Sequence, residues 1–397
     1  MIQITDKTKC CGCSSCANAC PKSAIIMMPD EEGFSYPVID KTLCINCGIC
    51  NHVCPIENQP VNQNPVREAY VIRTIDRNIL KDSTSGGFIT PLAEYVLNHR
   101  GLLCAASYDK DFNVRHIIIG ENEKYRLSDI RGSKYVQSSI DDCYEKIKKY
   151  LEQNRMVCFV GTTCQVAGLM SFLNKNYDNL ITVDLVCHGT PSPKLWNKYL
   201  KYQKERYHSE IDRISFRNKT YGYHSGTMKI RFLNGKTYYG SARVDYMLRS
   251  FFKEIASRPI CYQCPFKSVD RASDFTIYDC WHASELVTSL KDDDMGYTNL
   301  IVQSEKGKQL LNKISRKYEI YQVDIEKAIR LDGIMILNSA KPHRRRSEFY
   351  LDIDKRTMKE QVQKFIPVKT KDYFVERMKI VLYSLGIYHV VKKIMQK

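Results

Sequence analysis

The feature that most constrains this chain is a doubled row of cysteines near its start. Nine of its 17 cysteines lie within the first 54 residues, and eight of those fall into two copies of one spacing. Cys10, Cys13, Cys16 and Cys20 precede Pro21; Cys44, Cys47, Cys50 and Cys54 precede Pro55, so each copy reads C-x2-C-x2-C-x3-C-P. Met1 to Lys9 is polar, with no apolar stretch of the kind found in a secretory signal. No run of about 18 apolar residues follows, so an ordinary membrane span is not expected either. These features point to the cytoplasm, where thiols stay reduced, and so to metal ligation rather than a disulfide framework.

The spacing selects the metal group. Three closely spaced thiolates cap one face of a 4Fe-4S cubane in bacterial ferredoxins, and the fourth cysteine of each row ligates the other cluster. Cys10, Cys13, Cys16 and Cys54 are therefore assigned to one cluster, and Cys44, Cys47, Cys50 and Cys20 to the other. A structural zinc site needs four ligands, commonly in pairs, and has no use for the third cysteine or the proline. Cys11 falls outside the spacing and reads as a spare thiol packed nearby. Fully thiolate-ligated cubanes leave no open position for a substrate, so this module conducts single electrons. Ile25 to Met28 and Phe34 to Ile39 read as short strands around a turn, and Ile56 to Pro65 reads as a linker.

The rest of the chain, 43% hydrophobic overall, can bury a core. Strand-like runs are expected at Ala69 to Ile75, Leu102 to Ser107, Val114 to Gly120, Met156 to Gly161, Leu180 to Val186, Ile211 to Phe216 and Asn299 to Gln303. Amphipathic segments at Phe88 to His99, Asp141 to Gln153, Lys194 to Arg206 and Glu305 to Arg316 alternate with them. The pattern predicts an α+β or α/β fold: a two-cluster module at 1–60, a body divided into 66–150 and 151–340, and a basic helical region at 341–397. No G-x-G-x-x-G follows a strand, so the standard dinucleotide fingerprint is missing.

Four turns are candidates for ligand contact. Ser83, Thr84, Ser85, Gly86 and Gly87 precede a helix, where hydroxyls and bare N–H groups bind anions, although an ordinary helix cap has the same composition. Arg131, Gly132, Ser133, Lys134 and Tyr135 form a basic loop ending in an aromatic ring, or simply a solvated loop. Gly161, Thr162, Thr163, Cys164 and Gln165 lie where a strand gives way to a helix, whose N-terminal dipole favours thiolate. Cys187, His188 and Gly189 lie at the carboxyl end of another strand. Cys261-x2-Cys264 is open to zinc, redox-disulfide or cluster readings. Cys164, Cys187, Cys261 and Cys264 make four ligands for a third cluster if the fold gathers them; taken singly, Cys164 and Cys187 also fit a core. Cys104, Cys143, Cys158 and Cys280 read as core residues.

The ordered set of S-x-S-G-G at Ser83 to Gly87, S-K-Y at Ser133 to Tyr135, G-T-x-C-Q at Gly161 to Gln165, C-H-G-x-P-S at Cys187 to Ser192 and C-Y-x-C-P-F at Cys261 to Phe266 resembles the coenzyme F-420 hydrogenase/dehydrogenase beta-subunit family. The resemblance spans about residues 1 to 335. It implies FAD beside the clusters, held by Ser83, Ser85, Gly86, Gly87, Arg131, Ser133, Lys134 and Tyr135, with Gly161, Thr162 and Gln165 as further cofactor contacts. It does not carry over the deazaflavin coenzyme, because many chains of this shape accompany sugar and polysaccharide biosynthesis enzymes. Family members commonly read D-x-T-x-G-D-x-W-G where this chain has Asp274, Thr276, Tyr278, Asp279, Trp281 and His282. Tyr278 and His282 thus replace glycines and are expected to fill space near the substrate pocket.

The reading is an oxidoreductase that passes electrons from a ferredoxin-like donor through 4Fe-4S clusters to FAD and on to a small molecule or glycan precursor. His188 is the candidate proton donor, since an imidazole titrates near neutrality, though such a residue also caps turns. The alternative is an electron carrier without a substrate of its own. The net charge of +16 comes with no nucleic-acid-binding motif, so no specific nucleic acid is expected. From Arg344 to Lys397 there are 14 Lys+Arg and 6 Asp+Glu, and Phe374, Met378, Val381, Leu382, Leu385, Ile394 and Met395 recur at helical spacing. That basic amphipathic stretch suits an anionic membrane surface or an acidic partner, or packs on its own domain.

Overall fold

The computed structural model describes residues 2–62 and 65–395, so residues 63 and 64 of the expected linker lie outside the described residues, as do the side chains of His389, Lys393 and Met395 in the last helix. Thirteen strands are present among the described residues: β1 Ile25–Pro29, β2 Ser35–Ile39, β3 Glu68–Thr74, β4 Leu102–Tyr108, β5 Val114–Ile119, β6 Val157–Thr162, β7 Leu180–Leu185, β8 Ile211–Asn218, β9 Thr227–Phe232, β10 Thr237–Ser241, β11 Phe275–Cys280, β12 Tyr297–Val302 and β13 Tyr318–Val323. The fold is mixed α/β. Eight strands form one sheet in the order β13-β3-β12-β11-β7-β6-β4-β5. Its centre is parallel, with β4 on β6, β6 on β7 and β7 on β11. Both flanks are antiparallel.

Continuous apolar runs explain the centre. Val157 to Val160 are all buried, as a strand covered on both faces requires, and alternate residues serve opposite faces. Cys158 and Val160 pack with Leu92, Val96 and Leu97 of the helix Ile89–Asn98. Val157 and Phe159 pack with Tyr144, Ile147 and Val166 from the helices Cys143–Glu152 and Thr163–Leu173. Cys104, Cys143, Cys158 and Cys280 are buried in these cores.

A second core joins the three-stranded sheet β10-β9-β8 to the helix Pro193–Tyr207 and to Phe349, Tyr350, Val362 and Phe365. Arg344 to Phe365 is therefore an integral part of the body. The β1-β2 hairpin sits in the cysteine module, and the module is fastened to the body at several points. Arg346 makes a two-pronged ion pair with Glu32 at 3.0 and 2.6 Å, Asn18 Nδ2 donates to the Asp141 carbonyl at 2.8 Å, and Ser15 Oγ donates to the Gly168 carbonyl at 2.8 Å. The two last helices are Thr370–Ser384 and Tyr388–Met395.

Candidate metal and cofactor site

The module arranges its eight cysteines into two groups. Cys20, Cys44, Cys47 and Cys50 line one cavity, so the fourth cysteine of the first row faces the first three of the second. In the other group, burial pushes the Cys16 thiol up and the neighbouring Cys13, Cys10 and Cys54 push it further. Burial and the neighbours Cys13 and Cys54 act on Cys10 in the same direction. The short helices Ser15–Asn18 and Ile49–His52, which carry Cys16 and Cys50, each follow a left-handed residue, Ser14 or Gly48. Gly12 has φ +68°, and a Cβ there would meet Gln137 and Arg258 of the body. Among the described residues no three His, Cys, Asp or Glu converge closely enough for a single metal ion. The outer group surrounds a void, and a donor set of four thiols fits a four-iron core better than a mononuclear site.

The fold also gathers Cys164, Cys187, Cys261 and Cys264 around one cleft. Cys164 begins the helix that follows β6, Cys187 follows β7, and Cys261 lies in the turn Pro259–Gln263. Burial raises the thiols of Cys187, Cys261 and Cys264, the last to about 11. Cys164 is lowered, chiefly by the Cys11 thiol and, after an opposing burial effect, by the Thr162 hydroxyl. Cys11 lines this same cleft and packs with Cys13, Ala167 and Ile260. The residue read as spare thus lies between two cysteine groups.

Local hydrogen bonds define what each predicted cofactor residue can do. Thr162 and Gln165 form the capping box of the helix Thr163–Leu173, with Thr162 N–H donating to Gln165 Oε1 at 3.0 Å. Gln165 Nε2 also donates to Ser138 Oγ at 2.9 Å, and Gly161 is the β6 residue just before the cap. Ser83 Oγ donates to the Ile79 carbonyl, Ser85 Oγ bonds Thr298 Oγ1 at 2.8 Å, and Gly86 N–H donates to the same hydroxyl at 2.9 Å. Gly87 completes the turn with φ +76°. The two predicted loops meet where Ser133 N–H donates to Thr84 Oγ1 at 2.8 Å. Arg131 Nε donates to Thr90 Oγ1 at 3.3 Å, and Lys134 Nζ reaches the carbonyls of Ile130, Arg131 and Gly132. Burial lowers Lys134 to about 8.

Tyr135 turns to a different group. Its hydroxyl accepts from Arg217 Nη1 at 3.1 Å, and the same nitrogen donates to Asp279 at 3.0 Å. The Arg217 guanidinium lies 4.6 Å from the Trp281 ring centre, and Trp281 stacks on Tyr223. Arg217 is buried, and its Nη2 has no hydrogen-bond partner among the described residues. Lys219 donates to the carbonyls of Leu80 and Ser85 at 2.7 Å each, and burial lowers it to about 7. A buried guanidinium nitrogen without an acceptor is costly, so these cations and rings fit a planar ligand bearing carbonyl or phosphate oxygens, as a flavin does. Tyr278 is elsewhere: it is buried with Ile301 and Ile336. His282 Nδ1 bonds Asp332 at 2.6 Å. Neither is among the contacts of the Arg217 group.

His188 pairs through Nε2 with Glu254, and its ring lies 5.2 Å from that of Phe251. Tyr135 stacks on Phe251 at 4.7 Å, so His188 joins the Cys187 side of the structure to the Arg217 group. Glu254, Arg217, Lys219 and Arg258 were missed by sequence reasoning. Arg217 and Lys219 gave no distinguishing signal, since the strand Ile211–Asn218 already carries Asp212, Arg213, Ser215 and Asn218.

Residues 154–328 match the family model for the C-terminal region of the coenzyme F420 hydrogenase/dehydrogenase beta subunit, and residues 9–58 match the 4Fe-4S dicluster domain. Among solved structures, a chain of the F420-reducing [NiFe] hydrogenase complex from Methanosarcina barkeri is similar at 15% identity and a TM-score of 0.42, covering 77% of this chain and 92% of that one. No curated protein matches.

Proposed function

Residues 154–328 belong to the C-terminal part of the coenzyme F420 hydrogenase/dehydrogenase beta-subunit family and residues 9–58 to the 4Fe-4S dicluster domains, and from that premise we propose an iron-sulfur flavoprotein oxidoreductase. One observation carries the reading: Cys164, Cys187, Cys261 and Cys264, from three separate parts of the chain, surround one cleft that Cys11 joins to the dicluster module. The clusters supply single-electron transfer, and a flavin exchanges one electron or two. Cys10, Cys13, Cys16 and Cys54 would hold the inner cluster, Cys44, Cys47, Cys50 and Cys20 the outer one, and the cleft cysteines a third. Arg217, Lys219, Tyr135 and Trp281 would hold the flavin, and the His188–Glu254 pair would hold a proton at His188 Nε2. Ile45 and Ile49, exposed on the outer-cluster cavity, form the docking rim for a ferredoxin-like donor. A small-molecule acceptor, a glycan precursor by the resemblance, takes the electrons last. The exposed apolar side chains of the terminal helices support docking on an anionic membrane surface.

A second reading is favoured by the engagement of Ser85, Gly86, Thr162 and Gln165 in the fold itself: an electron carrier with no flavin. Anaerobically prepared protein separates the two. The proposal expects about twelve irons per chain and flavin released on denaturation. About eight irons removes the third cluster, and absence of flavin establishes the carrier.

A further inference from the structure

Arg258 is completely buried, yet among the described residues it has no carboxylate partner. Its Nε donates to the Cys10 carbonyl at 2.7 Å, one Nη donates to Gln137 Oε1 at 3.0 Å, and the other donates to Ser35 O at 3.1 Å and reaches Cys10 Sγ at 3.4 Å. The guanidinium also lies 4.0 Å from the Tyr36 ring centre. The module's Glu32, one candidate counter-ion, is held by Arg346 instead. A buried cation needs a compensating charge. The anion within its reach would be the thiolate-ligated core that Cys10 would hold.

We infer that Arg258 is a positioning residue of the body that raises the reduction potential of the inner cluster and so lets electrons move inward from the outer one. The physical need comes from burial. All four inner ligands are buried, whereas Cys47 is exposed and Cys20 and Cys44 are half-buried. Adding an electron to an anionic core is harder the more deeply it is buried, so without a cation the inner cluster is the harder of the two to reduce. Charge and hydrogen bonds to sulfur are the levers by which protein sets cluster potential, and Arg258 applies both at Cys10. An electron passed inward would oxidise the outer cluster and reduce the inner one by one electron each, with no proton or bond changing hands.

The inference rests on the cluster reading above. The test is a reductive titration of the anaerobic holoprotein, following each cluster by electron paramagnetic resonance, in the wild type, R258Q and Q137E. R258Q removes the charge. Q137E keeps Arg258 in place and sets a carboxylate against its guanidinium. Both are expected to make the inner cluster at least tenfold harder to reduce relative to the outer one, a downward shift of about 59 mV for a one-electron couple. The outer cluster serves as the internal control. Should R258Q fail to hold iron, Q137E decides. Fully loaded variants with unmoved inner potentials overturn this inference alone, whereas wild-type protein that binds no iron overturns the cluster reading itself.

Discussion

His116 and Asp245 are buried ionisable residues whose responses to pH oppose each other. Burial lowers His116 from 6.5 to about 4, so it stays neutral in the fold while the unfolded chain takes up a proton. Its contribution is present above about pH 6.5 and is lost as pH falls toward 4, by roughly 3 kcal/mol in all. Burial raises Asp245 from 3.8 to about 6, despite bonds from Leu248 N–H, Tyr199 and Tyr238. Its contribution is present below 3.8 and is lost as pH rises to about 6. The two offset each other between about pH 4 and 6. Asp245→Asn is therefore expected to lower the urea midpoint at pH 5 relative to pH 7 more than in wild type, and His116→Asn to do the reverse, by about 1–2 kcal/mol each. Identical pH profiles in all three proteins would sink the account. At this scale the sequence was legible where chemistry is local. The two cysteine rows announce a dicluster domain by their spacing, whereas Cys11 and Arg258 acquire meaning from Cys164 and Cys10, far away along the chain.

The helix Thr163–Leu173 does at the element scale what the cysteines need. Cys164 is in its first turn, and Gly168 one turn later faces the module, where an added Cβ would lie 2.7 Å from Cys13 Cβ and 2.8 Å from Ser15 Oγ. The helix thus spans from the cleft to the inner cysteines, and glycine permits the approach. Gly168→Val is expected to push the module off this helix, at a cost of about 1–3 kcal/mol for overpacking. Iron content should fall and proteolysis between residues 54 and 68 should speed up. Unchanged iron content and cleavage rate would show that the contact is dispensable. The sequence foretold this helix's place but not the close approach, which depends on tertiary packing. It also foretold the central strands β4, β6 and β7, while β9, β10, β11 and β13 went unread. β9 and β10 flank Asn234-Gly235, a strong hairpin signal, but their polar residues mask the strand pattern. β13 is an edge strand with little of its surface buried.

Across the whole molecule, charge is distributed unevenly, and the last two helices are where that matters. Half of the net +16 lies from Arg344 onward, but residues to Phe365 are packed into the second core. The helices beyond are anchored at several points: Glu376 accepts from Ser241 at 2.9 Å, Tyr383 packs edge-on against Tyr221, and Lys392 reaches Asp294 at 2.5 Å. Along them Phe374 is 67% exposed and Leu385 64%, with Lys371 and Arg377 also exposed. No helix of the described residues is long and apolar enough to cross a membrane. An apolar surface bordered by cations suits an anionic bilayer surface, where each basic residue near a headgroup would add about 1 kcal/mol. The full chain is expected to sediment with phosphatidylserine-containing vesicles at low salt, to release as salt rises, and to bind pure phosphatidylcholine several-fold less. A chain ending at Val368 should stay in the supernatant. The double variant Phe374→Glu, Leu385→Glu should lose binding while keeping its iron. Equal sedimentation of the truncated and full chains would remove the membrane and leave these helices to a protein partner.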